Sequence, residues 1–166
     1  MGDHGARQLT PLFARRLIQR DASGTGYRLN LDGDERELLR SLGPQFAEML
    51  DDPTQPVLER LFPPAYAAVE HLEMQDEYRR LMQEDLVDRH REELELLAST
   101  AGADTLNDDQ ALAWARALNS IRLVLGTFLD VSDDDESRRP GSPDEALYQW
   151  LTYLLGEVID AMDGQT

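Results

Sequence analysis

Trp114–Leu129, WARALNSIRLVLGTFL, and Tyr148–Met162, YQWLTYLLGEVIDAM, decide how this chain folds. In the first, Leu118, Ile121, Leu125, Phe128 and Leu129 recur at helical spacing after Trp114. In the second, Leu147, Leu151, Leu154, Val158 and Met162 do the same. A short polar segment joins them, so the spacing predicts an antiparallel helical hairpin. Ser142-Pro-Asp-Glu145 marks the second start, with Ser as cap, Pro at the first helical position and Glu closing a capping box. Asn107 and Gln110 form a similar pair ahead of the first helix.

Working outward, residues 1–10 read as a disordered lead-in and 11–164 as one mainly helical domain. Within it, 11–31 is expected to be a small β-hairpin turning at Asp21–Gly26, because Tyr27, Leu29 and Leu31 alternate with Arg28 and Asn30. Residues 32–164 form the helical bundle, with 130–142 as a mobile acidic linker. Asp32 and Glu35 start a helix whose apolar face is Leu38, Leu39, Leu42, Phe46, Met49 and Leu50, and Gly43-Pro44 should kink or split it. Pro56–Phe62 is a short helix. Ala65–Thr100 reads as helix, broken near Glu73–Asp76, with Tyr78, Leu81, Met82, Leu86, Leu94 and Leu97 on the buried side. Ala101–Leu106 is a connection.

The chain has 33 acidic and 16 basic residues, a net charge of −17, and no cysteine. That charge argues against direct nucleic-acid binding and against anionic membranes. Absent cysteine removes disulfides, thiolate metal sites and thiol nucleophiles. Every Lys/Arg position is arginine, which excludes Schiff-base and phosphate-loop lysines. No apolar run approaches a membrane span of about 20 residues, nor is a signal peptide visible. A cytoplasmic location is the expectation. Residues 1–31 hold five arginines against two aspartates, whereas the remainder carries a charge of −20. Arg15, Arg16 and Arg28 are therefore either a basic contact arm or merely solvated side chains.

The search for chemistry returns no catalytic, cofactor or metal constellation. No Glu-x-x-His motif of a carboxylate-bridged metal bundle occurs. His90 and Glu93 have helical spacing but sit in a highly charged run that reads as exposed; His4 and His71 lack evident partners. Asp133–Glu136 fails as a calcium loop: neither register places Gly sixth and Glu twelfth. No nucleophile elbow is present. A non-enzymatic protein is expected. What remains is a seam on the hairpin: Trp114, Asn119, Arg122, Gly126, Tyr148 and Trp150, with Thr127 alongside. Gly126 in mid-helix costs about 1 kcal/mol relative to Ala, which close approach of another backbone would justify. Arg122 could bond Glu157 or Gln149 across the hairpin. The seam reads as a polar clamp fixing helix register or, alternatively, as a partner anchor.

Asn119-Ser-Ile-Arg122-Leu-Val-Leu-Gly126-Thr127 and Tyr148-Gln-Trp-Leu-Thr152 resemble the actinobacterial family of domain of unknown function 2017, the AosR-like oxidative-stress regulators. Trp114, Tyr27–Leu31, Glu35–Leu39 and Glu77-Tyr-Arg-Arg-Leu81 also resemble its layout, so the likeness covers most of 12–163. It implies a regulator acting by protein–protein contact, in stress-linked transcription regulation, on transcription machinery. Frequent gene proximity to a Clp protease adaptor gives the alternative, an accessory factor in Clp-dependent proteolysis. A third reading is a small-molecule binder lined by Trp114, Tyr148 or Trp150. Cysteine-based sensing cannot carry over, leaving Met49, Met74, Met82 or Met162 to any oxidant response. A homodimer is expected from Trp150, Tyr153 and Phe128 beside two apolar stripes.

Overall fold

The computed structural model describes residues 15–62, 72–131 and 141–164, and side chains in all of these except 72–75 and 131. The N-terminal hairpin consists of β1 (Ile18–Arg20) and β2 (Tyr27–Leu29), paired antiparallel with Ile18 opposite Leu29. Its turn closes through Asp21 N–H to the Gly26 carbonyl at 3.0 Å. Among the described residues four α-helices follow: α1 (Gly33–Met49), α2 (Leu72–Thr100), α3 (Asp108–Val131) and α4 (Pro143–Met162). A 3-10 helix, Pro56–Leu61, lies between α1 and α2. The protein is mainly α, a bundle closed by the α3/α4 hairpin, as its apolar spacing requires.

The expected connection at 101–106 contains a third strand, β3 (Thr105–Leu106), which pairs antiparallel with the free edge of β2. Two residues carry no readable alternation, so only the partner edge reveals it. β2 is thereby central, and a two-stranded hairpin that would be marginal alone becomes a sheet. Gly26, at φ +78°, stands where a Cβ would come 2.7 Å from the Leu106 carbonyl oxygen. Glycine lets β3 approach.

The first two start signals form full capping boxes, whereas at the third Ser142 caps without the return bond to Glu145. Asp32 accepts from the Glu35 amide at 2.8 Å and Glu35 Oε1 accepts from the Asp32 amide at 2.9 Å. Asn107 and Gln110 exchange the same bonds at 2.8 and 2.9 Å. Ser142 accepts from the Glu145 amide at 3.2 Å. Each such cap stabilises a helix by about 1 kcal/mol. α1 is not split: it runs through Gly43-Pro44 as one helix. Gly43 instead serves packing, since a Cβ there would lie 2.7 Å from the Leu94 carbonyl oxygen and 2.9 Å from the Ala98 Cβ. The close backbone approach sought at Gly126 is found here.

One core cluster joins the elements. Leu39 and Leu42 of α1, Leu94 and Leu97 of α2, Trp114, Leu118 and Ile121 of α3, and Leu151, Leu154 and Val158 of α4 are buried. Leu17, Ile18, Tyr27 and Leu29 bring the sheet into the same cluster. Each fully buried Leu or Ile contributes about 1.5–3 kcal/mol. α2 departs from its reading in two ways. It continues through Glu73–Asp76 without a break. Of the residues expected on its buried side, Tyr78, Leu81 and Met82 are 62%, 60% and 45% exposed and Leu86 is half-buried, whereas Leu94 and Leu97 reach the core. The apolar spacing there is real, but the described residues leave it uncovered. Phe128 likewise is exposed although it lies on the α3 stripe. Asp130 and Val131 belong to α3, which shortens the expected linker. The lead-in at 1–10, residues 65–71 and most of the linker lie outside the described residues.

Candidate functional site

The seam residues do not converge on one site; they are shared among three junctions. Trp114 is buried, and its Nε1–H donates to Thr100 Oγ1 at 2.7 Å, tying α3 to the end of α2. Thr100 Oγ1 in turn donates to the Leu96 carbonyl at 2.6 Å. The indole is thus satisfied in the core, as a buried Trp requires.

Trp150 and Arg15 meet at a second junction. Glu35, whose Oε1 completes the α1 cap, also accepts from Arg15 Nη2, and its Oε2 accepts from Trp150 Nε1 at 3.2 Å. Beside it the Tyr153 hydroxyl faces two acceptors, Glu157 Oε1 at 2.8 Å and the Arg15 carbonyl at 3.1 Å. Burial pushes the Tyr153 phenol up, and the neighbouring Glu157 carboxylate adds to the effect. Arg15 is therefore folded back onto α1 and α4. Arg28 approaches Asp21 at 3.7 Å, and Arg16 is exposed. Arg20, one of the five N-terminal arginines but not among the candidate contact residues, donates to the Met162 carbonyl at 3.0 Å and fastens β1 to the end of α4.

The middle of the hairpin holds the rest. Arg122 Nη2 donates to Asn119 Oδ1 at 3.2 Å within α3, rather than to Glu157 or Gln149 across the hairpin, and its buried Nε has no hydrogen-bond partner among the described residues. Thr127 Oγ1 donates back to the Leu123 carbonyl at 2.9 Å. A Cβ on Gly126 would stand 3.3 Å from Tyr148 Cε2 and 3.7 Å from Arg60 Nη1. Gly126 therefore makes room for a ring and a guanidinium, not for backbone. Arg60, from the 3-10 helix, bonds Asp130 Oδ2 at 3.0 Å.

A cluster that sequence alone placed in solvent is in fact enclosed. His90 and Glu93 side chains are only 15% and 10% exposed. His90 Nε2 lies 3.4 Å from the Leu61 carbonyl, and its Nδ1 3.3 Å from Ser120 Oγ and 3.8 Å from Glu93 Oε2. Phe62 meets the imidazole edge-on at 5.8 Å between centroids, and Arg116 Nη1 approaches Glu93 Oε1 at 3.8 Å. The charged neighbours Asp88, Arg89 and Arg91 hid this side of α2, because one face of a helix can be buried within a polar run. Among the described residues, no group of three His, Asp or Glu side chains is placed to hold a metal.

These junctions fasten α3 to α2 and to the 3-10 helix, and α4 to α1 and to β1, and the sequence that builds them matches a known family. The model of domain of unknown function DUF2017 matches residues 15–162. The chain belongs to that family. Among relatives, oxidative stress regulator AosR of Mycobacterium bovis and of Mycobacterium tuberculosis are each 28% identical over 90% of this chain and 87% of theirs. A putative oxidative stress regulator AosR of Mycobacterium leprae is 31% identical over 78% of this chain and 67% of its own. No solved structure matches the chain. Among the described residues, no helix is long and apolar enough to cross a membrane.

Proposed function

We propose that this protein is a non-enzymatic regulator that acts by protein contact in the cytoplasm, in stress-linked control of transcription. One observation carries the reading: likeness to relatives named oxidative stress regulators over nearly the full length of both chains. The junctions support it, since the polar side chains of the hairpin bond mostly to their own fold. The oxidant signal cannot be a thiol, because the chain has no cysteine. Among the described methionine side chains, Met82 is exposed while Met49 and Met162 are half-buried, so Met82 is the thioether open to oxidation.

The test is crosslinking in the native host, with and without peroxide, followed by mass spectrometry of proteins held by this chain. RNA polymerase or a sigma factor is the expected partner. Clp components in its place would assign the protein to proteolysis, and recovery of neither would remove the contact reading. Peptide mapping of the same samples is expected to show sulfoxide at Met82 ahead of Met49 and Met162.

A further inference from the structure

Residues 76–82 of α2 present a surface that the other described residues leave uncovered. Every residue from Asp76 to Met82 is exposed, on all sides of the helix. Tyr78, Leu81 and Met82 follow i, i+3, i+4 spacing and so share one face, at 62%, 60% and 45% exposure. Tyr and Met are the residue types enriched where proteins meet, and a stripe of this spacing is how one helix lies against another. Its surroundings are acidic on one side. Glu77, Leu81, Glu84 and Asp88 fall at i, i+4, i+7 and i+11, a continuous row along the stripe's edge, and all four are exposed. Asp85 extends the stripe itself and pairs with Arg89 at 3.0 Å.

We infer that this face docks a basic amphipathic helix of a partner protein, its apolar side on Tyr78, Leu81 and Met82 and its Arg or Lys side chains on Glu77, Glu84 and Asp88. Charge selects that occupant. A second copy would bring the same carboxylate row and the same net charge of −17. An anionic membrane or nucleic acid is repelled for the same reason. The inference deepens the contact reading above by giving its surface and the chemistry of its partner. It is tested without any transcriptional readout, so either can fail alone.

The probe is a synthetic helical peptide of about four turns, Leu and Phe on one face and Arg and Lys on the other. It is titrated into the full chain by fluorescence anisotropy and by backbone NMR. Saturable binding is expected, with shifts concentrated in residues 76–88. Leu81→Asp should weaken it by about tenfold or more, as loss of a central anchor does. The double variant Glu77→Lys, Glu84→Lys should weaken it too and flatten its salt dependence. All these positions are exposed, so circular dichroism and Tm should match the wild type. No binding at millimolar peptide overturns the inference. So does equal binding to Leu81→Asp, or equal binding of a scrambled peptide or one with Glu in place of its basic residues. Sedimentation showing that the chain alone self-associates, and that Leu81→Asp abolishes it, would assign the face to a second copy instead.

Discussion

Two glycines show how differently the same residue can matter at the scale of single side chains. Gly43 stands against the Leu94 carbonyl oxygen, where an added Cβ at 2.7 Å would meet backbone that cannot swing aside. Gly156, in the middle of α4, has nothing within 4 Å of the same added carbon. Gly43→Ala is therefore expected to destabilise the fold by about 2 kcal/mol, in the range of an overpacked core. Gly156→Ala should stabilise it by up to about 1 kcal/mol through helix propensity. Urea unfolding of the two variants beside the wild type checks both signs; a neutral Gly43→Ala would mean that α1 and α2 separate without penalty. Sequence placed Gly43-Pro44 as a disruption because it gives no view of α2, and assigned the close approach to Gly126 for the same reason. Both positions drew notice; only the packing partner decides which one is tight.

Between elements, the joints are made largely by arginines that no local pattern marks. Arg36 of α1 donates from Nε to the Leu31 carbonyl at 3.1 Å and from Nη1 to Ala101 and Ala103 carbonyls at 3.0 and 2.6 Å. It thus binds the chain leaving α2 to the start of α1, just before β3. Only a planar fork can reach these oxygens together. Arg36→Ala is expected to cost about 2 kcal/mol, the scale of bonds from a charged donor to backbone, and Arg36→Lys to recover less than half of it. Thermal unfolding of both variants is the measure; full rescue by Lys would reduce Arg36 to a point charge. The helices themselves were readable because caps and apolar spacing are local: Asp32, Asn107 and Ser142 all cap as their neighbours suggest. Arg36, Arg20 and Arg60 were not readable, for their partners lie 65, 142 and 70 positions away. β3 and the His90 enclosure were missed on the same ground.

Over the whole molecule, two phenols couple the fold to alkaline pH. Burial pushes the Tyr27 phenol above its ordinary value of 10.0, and its hydrogen bond to Asp108, 2.9 Å long, pushes the same way. Tyr153 is raised by burial and by Glu157. The two stand at opposite parts of the sheet's attachment, one on the start of α3 and the other between α4 and Arg15. Below about pH 10 both are protonated in folded and unfolded chains alike, so their contribution is fully present. Above it the unfolded chain releases these protons first, because its phenols are in water. Stability must then fall as pH rises toward the higher folded values. Urea midpoints taken from about pH 8 to about pH 11 should therefore decline for the wild type in the upper part of that range. The variant Tyr27→Phe, Tyr153→Phe should start lower, having lost two hydrogen bonds, yet decline less across the same window. Equal slopes in the two proteins would show that the alkaline loss originates elsewhere and that neither phenol is held neutral by the fold.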